Sequence, residues 1–376
     1  MSRILIHSNA PWVPSGYGKQ AGHLGRVLTS GGNEVIFSAF SGLGGAPIIW
    51  QNHPVLPNGM YEFGIDTLIP HIQSTEADLT IALMDVWKLA PIAEELKNHN
   101  MAAWLPVDCT PLSKLDEQFL NRSGVKPIAM SLFGRDQIKD AGFKPLYAPH
   151  VVDRITFAPR TDEERSKLRE EQGVADRFVI GMCAANNDTI RKGFPEQFAA
   201  FKQFHDRHPE AMLWLHTVPH TARGLSLGRL MMDMGIDSSA VRVTDSYPQV
   251  TGQFTEDLMA DWYSCLDVLS NASYAEAFGV PLIEAQACGT PVVTTDGSAM
   301  QENSGAGWAV GGDRFWNHVH GAWWVRPNVR EIRNAYEDAY MNAAGQREAA
   351  AHFAAGFDVA DAGVDYWDDL VAELCD

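Results

Sequence analysis

Short apolar runs and amphipathic stretches alternate along almost the whole chain. Residues 3–8 (RILIHS) predict a buried strand, and residues 19–30 a helix with Leu24, Val27 and Leu28 at helical spacing. Gly31 and Gly32 end that helix, and residues 34–39 predict a second strand, so the chain opens as a βαβ unit. Further strands are expected at 78–83, 102–107, 127–130 and 145–147, with helices at 90–98 and 134–141 between them. A charged stretch, 161–172, reads as a solvated helix. The alternation then restarts. Residues 177–182, 211–216, 241–243 and 266–270 predict strands. Residues 195–207 predict a helix with Phe198, Phe201 and Phe204 on one face, and 256–264 another. A helix is expected at 329–341, and a long acidic amphipathic one at 359–374. Strands alternating with helices predict parallel, doubly wound sheets, and 376 residues give room for two such domains.

Residues 273–302 combine several chemical devices. Glu276 and Glu284 flank seven residues that include Phe278, Gly279, Val280 and Pro281. Gly279 lets backbone amides approach a ligand closely, and Pro281 suits the first turn of a helix, where its missing N–H is no loss. Residues 282–288 continue that helix, Gly289 ends it, and 292–295 predict a buried strand. Free amides at a helix N-terminus attract a phosphate. Glu284, about one turn inside, can accept two hydroxyls, as from a ribose. Glu276, on the preceding loop, faces whatever the phosphate carries. The outline is a nucleotide-sugar site.

This stretch resembles the donor site of retaining GT-B glycosyltransferases, specifically the large family 4 with its E-x7-E element. The pattern E-[GA]-F-G-[LV]-P-x-[LI]-E-A-x-A-C-G-T-P-V is matched at almost every position. Residues 148–159 are similar to the P-x-G-V-D-x3-F-x-P segment that joins the two domains of the family, with Val151 where Gly is usual. The resemblance implies an α/β GT-B fold, two Rossmann-like doubly wound domains facing a cleft that holds the active site. It implies an acceptor-side domain at 1–156, to which a C-terminal helix at 359–376 crosses back, and a donor-binding domain at 157–358. It also implies transfer of a hexose, with retention, from a nucleotide diphosphate sugar to an acceptor hydroxyl. UDP-glucose is the first expectation for the donor and GDP-mannose the next. Glu276 would contact the sugar and Glu284 the ribose, with Phe278, Gly279 and Val280 around the donor.

Other residues extend the resemblance. Arg191-Lys192-Gly193 stands where the family binds the diphosphate with an Arg and a Lys-Gly, and two cations there stabilise a leaving phosphate as it gains charge. The family's Arg, several residues upstream, has no clear counterpart, and Asn186 lies near its place. Gly16 and Gly18 follow the first strand, where a glycine loop would bring backbone amides to the diphosphate. Asp108 follows the strand at 102–107 and Asp85 the strand at 78–83. Residues just past parallel strands face the ligand crevice, so Asp108 is a candidate for sugar or acceptor hydroxyls, with a turn-forming Asp as the alternative. The histidine that many members carry in this half has no equivalent. The pairs Phe315-Trp316 and Trp323-Trp324 are expected in packing rather than as a sugar platform.

Composition narrows the field. A formal net charge of −18 disfavours non-specific adhesion to nucleic acid or anionic lipid, so a glycan, small-molecule or protein acceptor is favoured over DNA or lipid. No apolar run approaches the roughly 20 residues of a membrane span, and five scattered cysteines suggest reduced thiols, which predicts a cytoplasmic globular protein. No D-x-D element occurs, the one with which GT-A transferases hold a metal on the diphosphate. No metal and no cofactor beyond the nucleotide-sugar co-substrate are therefore expected. Two alternatives stay open: a non-catalytic nucleotide-sugar-binding protein, and an epimerase or phosphorylase on the same scaffold. The oligomeric state is not readable.

Overall fold

The computed structural model describes residues 1–375, and Asp376, the last residue of the expected terminal helix, lies outside them. Two compact units are formed. One comprises Met1–Val151, Asn317–Ala322 and Val359–Asp376, and the other Val152–Trp316 and Trp323–Asp358.

The first unit is built on an eight-stranded sheet. Its strands are β1 (Arg3–Asn9), β2 (Glu34–Ser41), β3 (Ile48–Trp50), β4 (His53–Leu56), β5 (Leu79–Leu83), β6 (Met101–Leu105), β7 (Lys126–Ala129) and β8 (Leu146–Tyr147), in the spatial order β3-β4-β2-β1-β5-β6-β7-β8. The β1, β5 and β6 interiors are fully buried because parallel strands covered on both faces meet no water. Only β3 runs antiparallel, at the edge, turned back by Gln51 and Asn52 at positive φ. This hairpin and the helices Leu68–Thr75 and Lys114–Ser123 were not predicted, since their apolar runs are too short to show a period. The order reverses between β1 and β5, which makes the gap between their C-terminal ends the ligand crevice of this sheet.

The terminal segment corrects the expectation of one long helix over 359–374. A π-helical turn, Gly363–Trp367, precedes a short α-helix, Asp368–Cys375. In the widened turn, consecutive residues both find aromatic partners: Tyr366 meets Tyr147, and Trp367 meets Trp104 with ring centres 5.0 Å apart. A regular helix would turn two successive side chains about 100° apart.

The second unit carries a six-stranded parallel sheet of β9 (Phe178–Cys183), β10 (Ala211–His216), β11 (Val241–Val243), β12 (Val268–Asn271), β13 (Val292–Thr295) and β14 (Gly307–Val310). The order β11-β10-β9-β12-β13-β14 is that of a Rossmann fold, with its reversal between β9 and β12. Phe194, Phe198, Phe201 and Phe204 fill one side of the sheet together with Tyr336. Tyr336 belongs to the helix Val329–Ala354, which runs well past the expected 341. A separate two-stranded ribbon, β15 (Gly312–Asn317) and β16 (Ala322–Pro327), was not foreseen. Its Phe315 and Trp324 stack, Phe315 packs on Tyr274, and Trp316 packs edge-on to Trp323 while staying 47% exposed.

Candidate active site

The reversal of strand order in the second sheet brings together the loops that leave β9 and β12. Both carry the charged residues singled out above. After β12, Gly279 takes φ +89, a conformation that L-residues with a Cβ rarely adopt, and caps the helix Val280–Ala287 without a side-chain hydrogen bond. A Cβ at Gly279 would also meet Leu282 Cδ1 at 2.9 Å. Upstream, the backbone of Glu276 is held at both ends: its N–H donates to Ser298 Oγ at 3.1 Å, and its carbonyl accepts from Ala299 N at 3.3 Å. Ser298 adopts φ +53 to do so. Thr295 Oγ1 donates to the Ser273 carbonyl at 2.6 Å, tying the same loop to β13.

After β9, Asp188 accepts from the N–H groups of Ile190 and Arg191 at 2.9 and 2.6 Å, which turns the chain sharply. The Arg191 carbonyl then accepts from Tyr274 N at 2.7 Å. Gly193, at φ +59, begins the helix Phe194–His205, and a Cβ there would lie 2.6 Å from the Ala272 carbonyl oxygen. Glycine is therefore what allows the two loops to meet.

Three predicted residues converge as a result. Lys192 Nζ donates to Glu276 Oε1 at 2.5 Å, and Arg191 Nη1 to Glu276 Oε2 at 3.0 Å. Ser273 Oγ donates to the same Oε1 at 2.8 Å. Burial alone would raise the Glu276 carboxyl, but Lys192 and Arg191 outweigh it and hold it at about 2. Burial, and then Arg191, draws Lys192 below the ordinary lysine value. Glu276 is the counter-charge that keeps this lysine a cation.

Glu284 is also buried, and its Oε2 accepts a hydrogen bond from Tyr263 Oη at 2.8 Å. Val280, in the first turn of the same helix, is half-buried. Phe278 is only 3% exposed and packs edge-on to Phe357, while its carbonyl accepts from Asn303. It shapes the loop from below, and its ring faces the protein interior rather than a ligand. Asn186 is likewise taken up by the fold. Its amide nitrogen donates to the Val218 and Leu225 carbonyls, and its oxygen accepts from Leu225 N. With both ends of the amide engaged, Asn186 braces the 218–225 loop.

The remaining candidates belong to the first unit. Gly16 opens the helix Gly16–Ser30 in open space, whereas Gly18 is buried and a Cβ on it would lie 2.4 Å from the Val13 carbonyl oxygen. The N–H of Gly18 is already capped by Ser15 Oγ, so its absent side chain serves packing. Asp108, half-buried beyond β6, lies close to Asp116. Burial, followed by the charges of Asp85 and Asp108, pushes the Asp116 carboxyl well up. Sequence reasoning had missed Ser273, Asp188 and Tyr263. Ser273 carried a faint signal as a hydroxyl at a strand exit three residues before Glu276, but Tyr263 looked like any helical core aromatic.

Among the described residues, no group of three or more His, Cys, Asp or Glu side chains is placed to hold a metal ion. No helix among them is long and apolar enough to cross a membrane.

Comparison with known proteins places this geometry in context. Residues 234–318, which contain the Glu276–Glu284 element, match the sequence profile of the family Glycosyl transferases group 1. The D-inositol 3-phosphate glycosyltransferase of Pseudarthrobacter chlorophenolicus is 32% identical over 150 residues, which span 39% of this chain and 33% of that protein. The chain thus matches about a third of the length of that curated relative. Among solved structures, sucrose-phosphate synthase from Thermosynechococcus elongatus superposes with a TM-score of 0.77 at 16% identity, covering 100% of this chain and 99% of that one. Anabaena HepE, solved in complex with UDP-glucose, gives 0.70 at 18% identity, covering 99% and 100%. The fold is that of the GT-B glycosyltransferases, with two Rossmann-like domains. Its second unit carries a glycosyl transferases group 1 segment.

Proposed function

We propose that the protein is a retaining, metal-independent glycosyltransferase that moves a hexose from a nucleoside diphosphate to an acceptor hydroxyl. The observation that carries this reading is the cluster of Glu276, Lys192 and Arg191 at the Rossmann switch point, with the buried Glu284 about one turn into the helix that follows. Lys192 and Arg191 would receive the diphosphate and stabilise it as it leaves, when its charge rises most. Glu284 would take the ribose hydroxyls, and Glu276 would position the sugar. No side chain in the cluster is a free nucleophile. On this reading the departing phosphate would accept the acceptor's proton, with attack on the face it leaves, as the resemblance to the family implies.

UDP-glucose is the first donor to try, because HepE, a structural neighbour, was solved in complex with it. Small polyols and their phosphates lead the acceptor panel, since the name of the matched relative specifies an inositol phosphate. The test is thermal unfolding with UDP, GDP, ADP and their hexose conjugates, with EDTA and with Mg²⁺. A ligand at about 100 times its Kd raises native stability by roughly 2.7 kcal/mol. A shift with one nucleotide, unchanged by EDTA, followed by acceptor-dependent release of the nucleotide and an unchanged anomeric configuration, is the expected result. No shift with any nucleotide would overturn the reading and favour a protein that binds something else.

A further inference from the structure

The carboxylate of Glu284 is not left to orient itself. Tyr263, on the neighbouring helix Glu256–Cys265, is fully buried and aims its hydroxyl at Glu284 Oε2 from 2.8 Å. Tyr263 is itself locked. Its ring lies against Trp262 and Phe157, at 5.1 and 6.3 Å between centres. Its carbonyl accepts from Thr290 Oγ1 at 2.8 Å, and Thr290 stands just past the Cys288 cap and Gly289 that end the helix carrying Glu284. The two helices are thus joined twice at this point, once through the functional carboxylate and once through backbone and hydroxyl.

A terminal carboxylate torsion has a broad minimum and rotates easily on its own. Two adjacent ribose hydroxyls need it in one orientation, and a mispositioned acceptor loses most of the discrimination that a buried polar contact can supply. Packing alone would call for phenylalanine at position 263. A hydroxyl placed in a fully buried site needs a partner, and this one donates to the carboxylate proposed to read the ribose, with the Cys183 thiol also beside it.

We infer that Tyr263 is the positioning residue for ribose recognition, setting the Glu284 carboxylate so that the protein prefers nucleotides bearing both ribose hydroxyls. This rests on the assignment of Glu284 to the ribose. The experiment compares the Kd of UDP, GDP and ADP with their 2′,3′-dideoxy counterparts, using the nucleotide that binds most tightly. It does so for the wild type, Tyr263→Phe and Glu284→Ala. Tyr263→Phe retains the ring, so the fold is kept, and circular dichroism checks this. The expected result is a ribose-over-dideoxy preference that falls about fivefold to tenfold in Tyr263→Phe, through weaker binding of the ribonucleotide with dideoxynucleotide binding unchanged. In Glu284→Ala the preference should vanish. If Glu284→Ala removes the preference and Tyr263→Phe leaves it intact, the positioning role of Tyr263 is wrong while the ribose assignment stands. If Glu284→Ala also leaves it intact, or no nucleotide binds, the ribose assignment itself fails and this inference with it. Equal weakening of ribo- and dideoxynucleotides in Tyr263→Phe would mean a merely structural hydroxyl, which also overturns the proposal.

Discussion

Glu276→Gln isolates the electrostatic part of the proposed site. The wild-type carboxylate is shared between Lys192 at 2.5 Å and Arg191 at 3.0 Å, and it is held at about 2 instead of 4.5. With roughly 1.4 kcal/mol for each tenfold change in a protonation equilibrium, this amounts to about 3 kcal/mol in favour of the ionised form. The amide keeps the shape and one acceptor but cannot balance two cations. It leaves the buried Lys192 and Arg191 with only Asp188, 3.7 Å from Arg191, as a counter-charge, so the variant should lose about 2–3 kcal/mol of stability at pH 7. The sign with pH follows from the depressed value. The Glu276 contribution is complete above the unfolded carboxyl value of about 4.5, and it disappears as pH falls towards 2, so the wild type loses stability over that window and the variant loses less. Nucleotide binding should move the other way. An incoming diphosphate draws on the same two cations, and if half of the ~3 kcal/mol is surrendered when they turn to it, Glu276→Gln should bind nucleoside diphosphates about tenfold more tightly. Transfer should fall nonetheless, because the sugar loses its carboxylate. Calorimetric titration with UDP, GDP and ADP, alongside thermal unfolding, reads both effects. Equal or weaker nucleotide binding by the variant would refute the argument that Glu276 and a diphosphate compete for Lys192 and Arg191.

Two further predictions concern the framework. Gly193→Ala forces a Cβ to within 2.6 Å of the Ala272 carbonyl at a φ of +59, and should destabilise the second unit by at least about 1 kcal/mol while weakening nucleotide binding; denaturant titration giving a wild-type midpoint would show that the loops part without penalty. Asp116→Asn removes a carboxyl raised by burial and by Asp85 and Asp108. A folded value above the unfolded one lowers stability as pH rises from about 4, so the variant should be more stable than the wild type at pH 8, with the gap closing towards pH 4. A wild type more stable than the variant at pH 8 would reverse that sign.

Much of this protein could be read from linear periodicity, because the chemistry of one segment is local. The Glu276–Glu284 spacing, Gly279 and Pro281 specify a loop and a helix start by backbone preference alone, and the strands β1, β5, β9 and β13 declare themselves as short runs rich in apolar and β-branched residues. Short or irregular elements left no such trace. The edge hairpin β3–β4 and the ribbon β15–β16 depend on partners rather than on their own period, and the π-turn at Gly363–Trp367 depends on where Tyr147 and Trp104 happen to lie. The same division runs through the site. Which residue types could bind a nucleotide sugar was visible in the order of residues. That Lys192 and Arg191 would meet Glu276, across more than eighty positions, was decided by the reversal of strand order between β9 and β12, which sets two loop ends side by side. That Asn186 would turn its amide into a neighbouring loop, and that Tyr263 would bond Glu284, was also settled only in three dimensions. A side chain's hydrogen-bond partner is chosen by what burial brings within about 3 Å of it, and sequence spacing carries no information about that.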